Sequence, residues 1–371
     1  MSFYQELSTY SWETISSRIN HKNSADVQRA LERSGRRTLE DFMALISPAA
    51  VPYLEEMAAL SQKLTLKRFG KTIQMYIPLY LSNECTNSCV YCGFNRNLPL
   101  PRKTLSTKEL KEEAHAIKKL GYDHILLVSG ESPKKVGLDY FKNALEILQP
   151  LFSHISMEVQ PLSQEEYAVL IKRGLNTVLV YQETYREQTY GTYHPNGKKK
   201  KFSYRLETPE RLGRAGIYKI GLGFLMGLEE WRAEAFFTAL HLTYLKKKYW
   251  QTRFSISFPR LRPHQGDFQP SVQVTDKELV QLICAYRILD EHVELSLSTR
   301  ESEQFRDHVV PLGITTISAG SKIQPGGYSS PEDCLKQFDI SDARSPEEIA
   351  RIIKEKGYEP VWKDWDGVLW K

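Results

Sequence analysis

The sequence lacks a long apolar segment, because no stretch of about 18 uncharged apolar residues occurs among its 371 positions. The N-terminal stretch MSFYQELSTYSWETISSRINHKN has neither an apolar core nor a small-residue cleavage site, so we expect no signal peptide and no membrane association. Cysteine is scarce: the five cysteines are odd in number and three are crowded together, which argues against a disulfide framework and fits a reducing compartment. These absences predict a cytoplasmic protein.

A strong excess of charge of one sign is also absent, since the net charge is +5. The one obvious basic run, GKKKK at residues 197–201, is isolated, so we interpret it as a solvated loop and expect no nucleic acid as a partner. Hydrophobic residues make up 41% of the chain and charged residues 26%, which is ordinary for a globular protein with a sizeable core. One large barrel or two domains would fit this length.

Short apolar segments rich in β-branched residues alternate with segments of helical period, such as 106–122 and 275–292. The first of these opens with Ser106 at the N-cap and Glu109 at the capping-box position. Eight strand–helix units over about 250 residues predict a parallel (β/α)8 TIM-type barrel in the α/β class. The predicted strands are 73–81, 124–130, 154–160, 177–183, 219–227, 254–261, 293–299 and 315–320. The predicted domains are a helical N-terminal extension (1–70), the barrel (71–325) and a helical C-terminal extension (326–371).

Polar residues follow the predicted strands at the end where the active site of such a barrel lies. Each alone could be a helix cap or a member of a surface ion pair. Their concentration at one face favours a functional site. The cysteine loop follows the first strand, and the other strand-end residues are Ser129, Gly130, Glu131, Glu158, Gln182, Glu183, Ser298 to Glu301 and Ser318 to Ser321.

Three of the cysteines lie in the segment NECTNSCVYCGF (83–94), at the spacing Cys85-x3-Cys89-x2-Cys92. Inert buried cysteines are the usual default, but a loop rich in Asn, Ser and Thr is a poor place to bury three of them. A structural zinc site would need a fourth Cys or His, and the loop contains none. A three-cysteine iron–sulfur cluster would leave one iron open to a substrate or cofactor, as open positions mark catalytic metal sites generally.

The cysteine spacing, with Tyr91 just before the last cysteine, resembles the signature of the radical S-adenosylmethionine (SAM) enzymes. In that superfamily three cysteines bind a 4Fe-4S cluster and SAM chelates the fourth iron, so the resemblance implies both cofactors, with Cys85, Cys89 and Cys92 as cluster ligands. It implies further SAM contacts from Ser129, Gly130 and Glu131 at the amino group, Glu158 at the ribose, Tyr91 beside the adenine, and Glu183 and Lys199 as candidates at the amino-acid end.

The resemblance extends over essentially the whole chain to the aromatic amino acid lyases, and among them to the tyrosine lyases of thiazole (thiamine) biosynthesis. It implies that SAM is cleaved to methionine and a 5'-deoxyadenosyl radical, and that L-tyrosine is split at Cα–Cβ into 2-iminoacetate (dehydroglycine) and p-cresol. It also implies that Arg300 and Ser318 hold the substrate carboxylate and that Tyr80 lies near the amine. The segments that carry it are FYQELSTYSWE, LEDFMALISPAA, YIPLYLSNECTNSCVYCGF, RLETPERLGRAGIYKIGLGFLMGLEEWR, FPRLRP, LSLSTRE, ISAGS and GYEPVWKDWD.

The same resemblance implies protein partners. They are the thiazole synthase subunit, ThiG in the family, which would receive the reactive imine, and a flavodoxin- or ferredoxin-type reductant. The aromatic segment VWKDWDGVLW (361–370) is either a docking element or a tail packed on its own barrel. Cys284 and Cys334 are too few and too far apart for the second cluster that a related lyase carries. Two alternatives remain open: a lyase of tryptophan or another amino acid, and a non-enzymatic iron–sulfur electron-transfer protein.

Overall fold

The computed structural model describes residues 2–330 and 335–364. Its centre is a closed barrel of eight parallel strands, in which each strand pairs with the next along the chain and the first also pairs with the eighth. The barrel strands are β1 (Thr72–Ser82), β2 (His124–Ser129), β3 (His154–Glu158), β4 (Leu175–Glu183), β5 (Lys219–Phe224), β6 (Arg253–Ser257), β7 (Glu294–Leu297) and β8 (Thr316–Ser318). The predicted barrel is confirmed, and every predicted strand has an observed counterpart.

The fifth and sixth predicted strands are longer than β5 and β6. The chain turns into loops at the barrel mouth after Phe224 and after Ser257. Gly227 adopts a φ of 118°, which glycine tolerates and other residues rarely do. Pro259 has no N–H to donate to a strand ladder. These two residues explain why regular pairing ends before the apolar pattern does, and an isolated bridge between Met226 and Arg260 lies beyond the strand ends.

Helices surround the barrel and connect its strands. They are α1 (Phe3–Leu7), α2 (Trp12–Asn20), α3 (Ser24–Glu32), α4 (Leu39–Leu45), α5 (Leu54–Phe69), α6 (Thr107–Lys119), α7 (Leu138–Leu148), α8 (Gln164–Ile171), α9 (Glu187–Tyr193), α10 (Phe202–Leu206), α11 (Thr208–Arg214), α12 (Trp231–Lys248), α13 (Asp276–Leu289), α14 (Glu303–Gly313) and α15 (Pro346–Glu355), with short 3-10 helices at Pro48–Tyr53 and Lys198–Lys200. The predicted capping box of α6 is present, since the Glu109 carboxylate accepts the Ser106 N–H at 2.8 Å. Within residues 2–330 and 335–364, no helix is both long and apolar enough to cross a membrane.

The N-terminal helices α1 to α5 pack on the outside of the barrel, where α5 contacts α13 and α14. The ring of Phe3 stacks on the ring of His241 in α12, with centroids 3.7 Å apart. The Phe3 N–H also donates to the buried carboxylate of Glu210 in α11, at 2.9 Å. These contacts fix the start of the chain to the outer helices, and the division of the chain into an N-terminal extension (1–70) and a barrel stays a prediction.

After β8 the chain crosses the barrel mouth before it returns to the outside. The backbone N–H groups of Ser341 and Asp342 donate to the carbonyl oxygen of Thr299, at 2.9 and 3.2 Å. The buried carboxylate of Asp342 pairs with the buried guanidinium of Arg306. Helix α15 follows, and then β9 (Glu359–Val361), which lies parallel to the start of β1. The sequence does not predict β9, because a three-residue strand that contains proline shows no recognisable alternation.

Candidate active site

A cavity of about 190 Å³ opens at the carboxyl ends of the barrel strands. In a parallel barrel, the loops that follow the strands converge at this end. Every residue that the sequence selects as a candidate ligand or catalytic group lines this one cavity. They are Tyr80, Cys85, Cys89, Tyr91, Cys92, Ser129, Gly130, Glu131, Glu158, Glu183, Lys199, Arg300 and Ser318. The fold therefore brings together residues that are distant in sequence.

Two of the polar strand-end residues do not line the cavity. Glu301 is buried and pairs with Arg260 and Arg262, so it stabilises the loop that follows β7. Gln182 is buried on β4 and is also absent from the cavity wall. A polar residue at the end of a barrel strand is therefore not always a residue of the cavity wall.

The cysteine loop is fixed against the end of β2. The Thr86 N–H donates to the carbonyl oxygen of Glu131 at 2.9 Å, and the Asn87 side-chain amide donates to the Glu131 carboxylate at 2.7 Å. A Cβ on Gly130 would lie 2.3 Å from the carbonyl oxygen of Glu84, so glycine is required for this close approach. The segment that follows β2 thus supports the cysteine loop as well as lining the cavity.

All three cysteines of the loop line the cavity. Burial is the largest cause that raises the pKa of Cys85 and of Cys89, and the neighbouring thiolates raise it further. Three cysteines on one cavity wall are a donor set that can hold a metal centre once their thiols lose the proton. The Phe94 N–H and the Gln337 side-chain amide reach the sulfur of Cys92 at 3.4 and 3.7 Å, as donors to a metal-bound thiolate do.

The loop fits a 4Fe-4S cluster better than a single metal ion. Among the residues that the structure describes, no three or more His, Cys, Asp or Glu side chains are grouped as one metal ion requires. A cluster makes a different demand, because each thiolate binds a separate iron at its own corner. Two buried hydroxyl oxygens of the cavity wall, in Ser129 and Ser321, also have no hydrogen-bond partner within the described residues, and they could bond to a cofactor.

Charged side chains form a buried cluster on the cavity wall. Lys199 Nζ lies 2.6 Å from Glu183 Oε1, and the Arg205 guanidinium lies 2.9 Å from Glu131 and 3.6 Å from Glu183. Burial alone would raise the pKa of Glu183, but Lys199 and Arg205 outweigh burial and lower it. Lys199 belongs to the run that the sequence analysis interprets as a solvated loop, and for this residue that interpretation is wrong, because its side chain is 12% exposed.

Glu158, at the end of β3, has a pKa raised to about 7. Burial is the largest cause and the charge of Glu183 is the next, while Arg300, Lys199 and Arg205 act in the opposite direction. A carboxyl group with this pKa loses its proton near neutral pH. Once ionised, the carboxylate of Glu158 can accept hydrogen bonds from the hydroxyl groups of a ligand.

A histidine fixes the hydroxyl group of Tyr91. Burial lowers the pKa of His194 to about 3, so the imidazole is neutral. Its Nδ1 lies 2.8 Å from the carbonyl oxygen of Tyr190, which can only accept, so Nδ1 carries the proton. His194 Nε2 therefore accepts the Tyr91 hydroxyl at 2.7 Å. The Lys199 ammonium lies 5.7 Å from the centre of the Tyr91 ring and attracts it further.

The C-terminal segment holds two of the predicted substrate-binding residues. The guanidinium carbon Cζ of Arg300 lies 3.6 Å from the centre of the Phe338 ring. The Tyr80 hydroxyl donates to Oε1 of Gln337 at 2.8 Å. Ser318, at the end of β8, is buried on the same cavity wall. A planar guanidinium and a hydroxyl group that line the same cavity are suited to binding a carboxylate.

Sequence reasoning misses Arg205, His194, Gln337 and Phe338. Arg205 lies in α10 and His194 just after α9, whereas Gln337 and Phe338 lie in a segment without periodic pattern. None of these places directly follows a barrel strand, so the search at strand ends passes over them. Only Arg205 has a signal in the sequence. Two acids at strand ends, if buried, require more than one cation nearby, so a second basic residue is expected beside Lys199.

Three sequence-based expectations concern residues away from the cavity. Cys284 is buried in α13, and Cys334 lies outside the described residues.

The candidate docking segment VWKDWDGVLW is described up to Asp364. Within that part, the rings of Trp362 and Tyr122 pack with centroids 5.1 Å apart, and Val361 belongs to β9. The described part of the segment therefore packs on its own barrel.

Comparisons with known proteins show which proteins this chain is similar to. The Radical SAM superfamily model matches residues 79–242, and the Biotin and Thiamin Synthesis associated domain matches residues 257–359. The chain is 53% identical over 359 residues to a 2-iminoacetate synthase of Salmonella typhimurium, and 52% identical over 359 residues to one of Escherichia coli. Each alignment covers 96% of this chain and 95% of the relative. The structure of the FeFe-hydrogenase maturase HydG from Carboxydothermus hydrogenoformans is 32% identical, with a TM-score of 0.84 over 95% of this chain and 80% of that one.

Proposed function

The chain belongs to the family of 2-iminoacetate synthases, within the radical SAM enzymes, and on this basis we propose which residues of the cavity carry each part of the reaction. The activity is that of a carbon–carbon lyase: L-tyrosine is split at Cα–Cβ into 2-iminoacetate and p-cresol, and the imine supplies the thiazole of thiamine. The non-enzymatic alternative, an electron-transfer protein, is therefore wrong. When bound, the 4Fe-4S cluster and SAM supply a 5'-deoxyadenosyl radical that abstracts a hydrogen atom, with methionine released.

Cys85, Cys89 and Cys92 would hold the cluster and leave its fourth iron to the amino-acid end of SAM. The hydrogen bond between Asn87 and Glu131 holds the loop that carries them, so the three cysteines are in place before the cluster binds. The Phe94 and Gln337 groups that reach the Cys92 sulfur would offset part of the cluster's negative charge.

The SAM molecule would lie along the wall that carries Glu158, Tyr91 and the charged cluster. Glu158 would accept the ribose hydroxyl groups, since its carboxylate faces the cavity and lies next to a second acid, Glu183. The Tyr91 ring, held by His194, would pack beside the adenine. The cluster of Lys199, Glu183, Arg205 and Glu131 offers both signs of charge for the zwitterionic end of SAM.

The tyrosine substrate would bind through its own zwitterion. Arg300 would hold the carboxylate by two parallel hydrogen bonds, and Ser318 would add a third donor. Tyr80 would lie beside the amine, from which the hydrogen atom is taken. Loss of that hydrogen leaves a nitrogen-centred radical. Cleavage at Cα–Cβ then gives 2-iminoacetate and a phenolic benzyl radical, which becomes p-cresol by taking up one electron from the reductant and one proton. A fixed amine is needed here, because a primary alkyl radical reacts with any nearby hydrogen.

The observation that carries this proposal is the placement of the cysteine loop and of Arg300 on one cavity. The test is anaerobic reconstitution of the cluster, followed by SAM cleavage with a reductant and either L-tyrosine or L-tryptophan. We expect L-tyrosine to stimulate 5'-deoxyadenosine formation and to be consumed. Consumption of L-tryptophan in place of L-tyrosine would support the alternative lyase and contradict the proposal.

We further propose direct transfer of the imine to a thiazole synthase subunit, ThiG in the family, because 2-iminoacetate hydrolyses in water. A flavodoxin- or ferredoxin-type protein would supply the electrons. A chain that ends at Asp364 keeps β9 and removes the rest of the docking candidate. Loss of co-purification with retained tyrosine cleavage would support docking through that tail, and unchanged co-purification would count against it. The cytoplasmic location stays a prediction.

A further inference from the structure

We propose that Gln337 is a positioning residue that fixes the direction of the Tyr80 hydroxyl proton, so that the Tyr80 oxygen accepts an N–H from the substrate amine. The inference rests on the proposed function, because it assumes that Tyr80 faces the amine. It assigns a role to the segment that crosses the barrel mouth. That role goes beyond the cluster, SAM and carboxylate contacts described above.

The Gln337 amide joins two groups of the cavity. Its Nε2 lies 3.7 Å from the sulfur of Cys92, and its Oε1 lies 2.8 Å from the hydroxyl of Tyr80. The two ends of an amide look alike in most structures, so their assignment needs a chemical argument. Here the argument is available, because an iron-bound thiolate has lone pairs and no proton. The NH₂ end must therefore face Cys92, and the oxygen must face Tyr80.

This assignment sets the direction of the remaining hydrogen bond. The amide oxygen of Gln337 can only accept, so the single O–H of Tyr80 points toward it. Because Tyr80 is the donor in this bond, its oxygen keeps its lone pairs as acceptors. Tyr80 lines the cavity, so these acceptors are available to a ligand there. An amine carries N–H donors, so it finds an acceptor there. A Tyr80 hydroxyl free to rotate would spend part of its time as a donor, which an ammonium group cannot use.

The backbone keeps Gln337 in this position. Its N–H donates to the carbonyl oxygen of Ile323 at 3.2 Å, and its own carbonyl oxygen lies against the cysteine loop, 2.1 Å from where a Cβ on Gly93 would be. The next residue, Phe338, lies under the Arg300 guanidinium. The two consecutive residues thus support the amine contact and the carboxylate contact of the same substrate. Both ends of the zwitterion depend on one short segment.

The test compares Gln337→Leu, Tyr80→Phe and the double variant in the reconstituted enzyme with SAM and reductant. The readouts are the tyrosine Kd and the fraction of cleaved SAM that yields p-cresol, which is measurable in every variant that still cleaves SAM. We expect Gln337→Leu to lower that fraction about 10- to 100-fold, as loss of orientation does, with little change in the tyrosine Kd. In the Tyr80→Phe background, Gln337→Leu should have no further effect, because it acts through the Tyr80 hydroxyl.

A multiplicative further loss in the double variant would overturn the inference, since Gln337 would then act independently of Tyr80. An unchanged coupling fraction in Gln337→Leu would overturn it as well. Gln324→Leu is the control, because Gln324 is a buried amide on the C-terminal side of β8 that does not line the cavity. It should leave the coupling fraction unchanged. Failure of the wild-type enzyme to cleave tyrosine would instead contradict the proposed function, so the two failures are distinguishable.

Discussion

The guanidinium of Arg300 lies over the ring of Phe338, with Cζ 3.6 Å from the ring centre. The two residues come from the loop after β7 and from the segment that crosses the barrel mouth. The face of an aromatic ring attracts a cation without using its N–H donors. The contact therefore orients Arg300 and leaves donors for a carboxylate. It also makes residues beyond β8 part of the cavity wall around Arg300.

We expect Arg300→Ala to raise the KM for tyrosine by about 30-fold or more, since truncating one partner of a buried charge pair costs about 2 to 5 kcal/mol. Arg300→Lys keeps the charge but loses the planar fork, so it should raise the KM by less. Slow SAM cleavage without tyrosine should persist in both variants. Arg253→Ala removes an arginine that is exposed at the other end of the barrel and should leave the KM unchanged. Loss of SAM binding in Arg300→Ala, with tyrosine binding intact, would assign Arg300 to the cofactor.

Each of Cys85→Ala, Cys89→Ala and Cys92→Ala should abolish the 4Fe-4S spectrum and reductive SAM cleavage, because each thiolate would hold a separate iron. Iron content, visible absorption and 5'-deoxyadenosine formation measure this. Cys284→Ala is the control, since Cys284 is buried in α13 away from the cavity. It should keep both properties. A complete cluster signal with activity in Cys89→Ala would rule out the assignment.

Lys199→Met should weaken SAM binding and lower the stability of the protein, because it leaves Glu183 buried with less compensating charge. We expect a loss of about 3 to 5 kcal/mol in the free energy of unfolding, measured by denaturant titration. The matched control is the double variant Lys199→Met with Glu183→Gln, which removes both charges. Stability should partly return, whereas the SAM affinity should not. If SAM affinity returns with stability, the pair has a structural role alone.

The free energy of unfolding should fall as the pH rises from about 6.5 to about 8.5. Below that window the buried histidines His124, His194 and His241, whose pKa burial lowers, act with the opposite sign. Burial is the main cause that raises the pKa of Glu234 from 4.5 to about 8, against the hydrogen bonds from Thr184 and Tyr185. Because the folded-state pKa is above the unfolded one, the contribution of Glu234 is complete below pH 4.5 and is lost as the pH rises through 8. Glu158, with a pKa raised to about 7, acts with the same sign. Glu234→Gln should therefore reduce the pH slope without removing it, and an unchanged slope would contradict the assignment.

The sequence predicts the barrel and many of the cavity residues because two patterns agree: the apolar runs of the strands and the polar residues that follow them. Buried parallel strands produce apolar runs of β-branched residues, and the loops after them carry the ligands. This pattern predicts Cys85, Glu158 and Arg300 as site residues, and all three line the cavity. The roles assigned to them, and the domain boundaries at 70 and 325, stay predictions.

The rest of the site depends on packing that no local pattern records. Gln337 and Phe338 lie in a segment between β8 and α15 that has no helical or strand period, and backbone bonds to Thr299 and Ile323 hold it over the cavity. Arg205 reaches the cavity from a short helix outside the strands. Such residues are identified by what they contact, so they require the folded structure.

The most direct test of the account is the amount of p-cresol formed relative to 5'-deoxyadenosine when the reconstituted protein cleaves SAM in the presence of L-tyrosine. Quantitative chromatography of a single anaerobic reaction gives both amounts. The account predicts closely matched amounts of p-cresol and 5'-deoxyadenosine in the wild type, and 5'-deoxyadenosine in large excess over p-cresol in Arg300→Ala at the same tyrosine concentration. Formation of 5'-deoxyadenosine without p-cresol in the wild type, at saturating L-tyrosine, would contradict it.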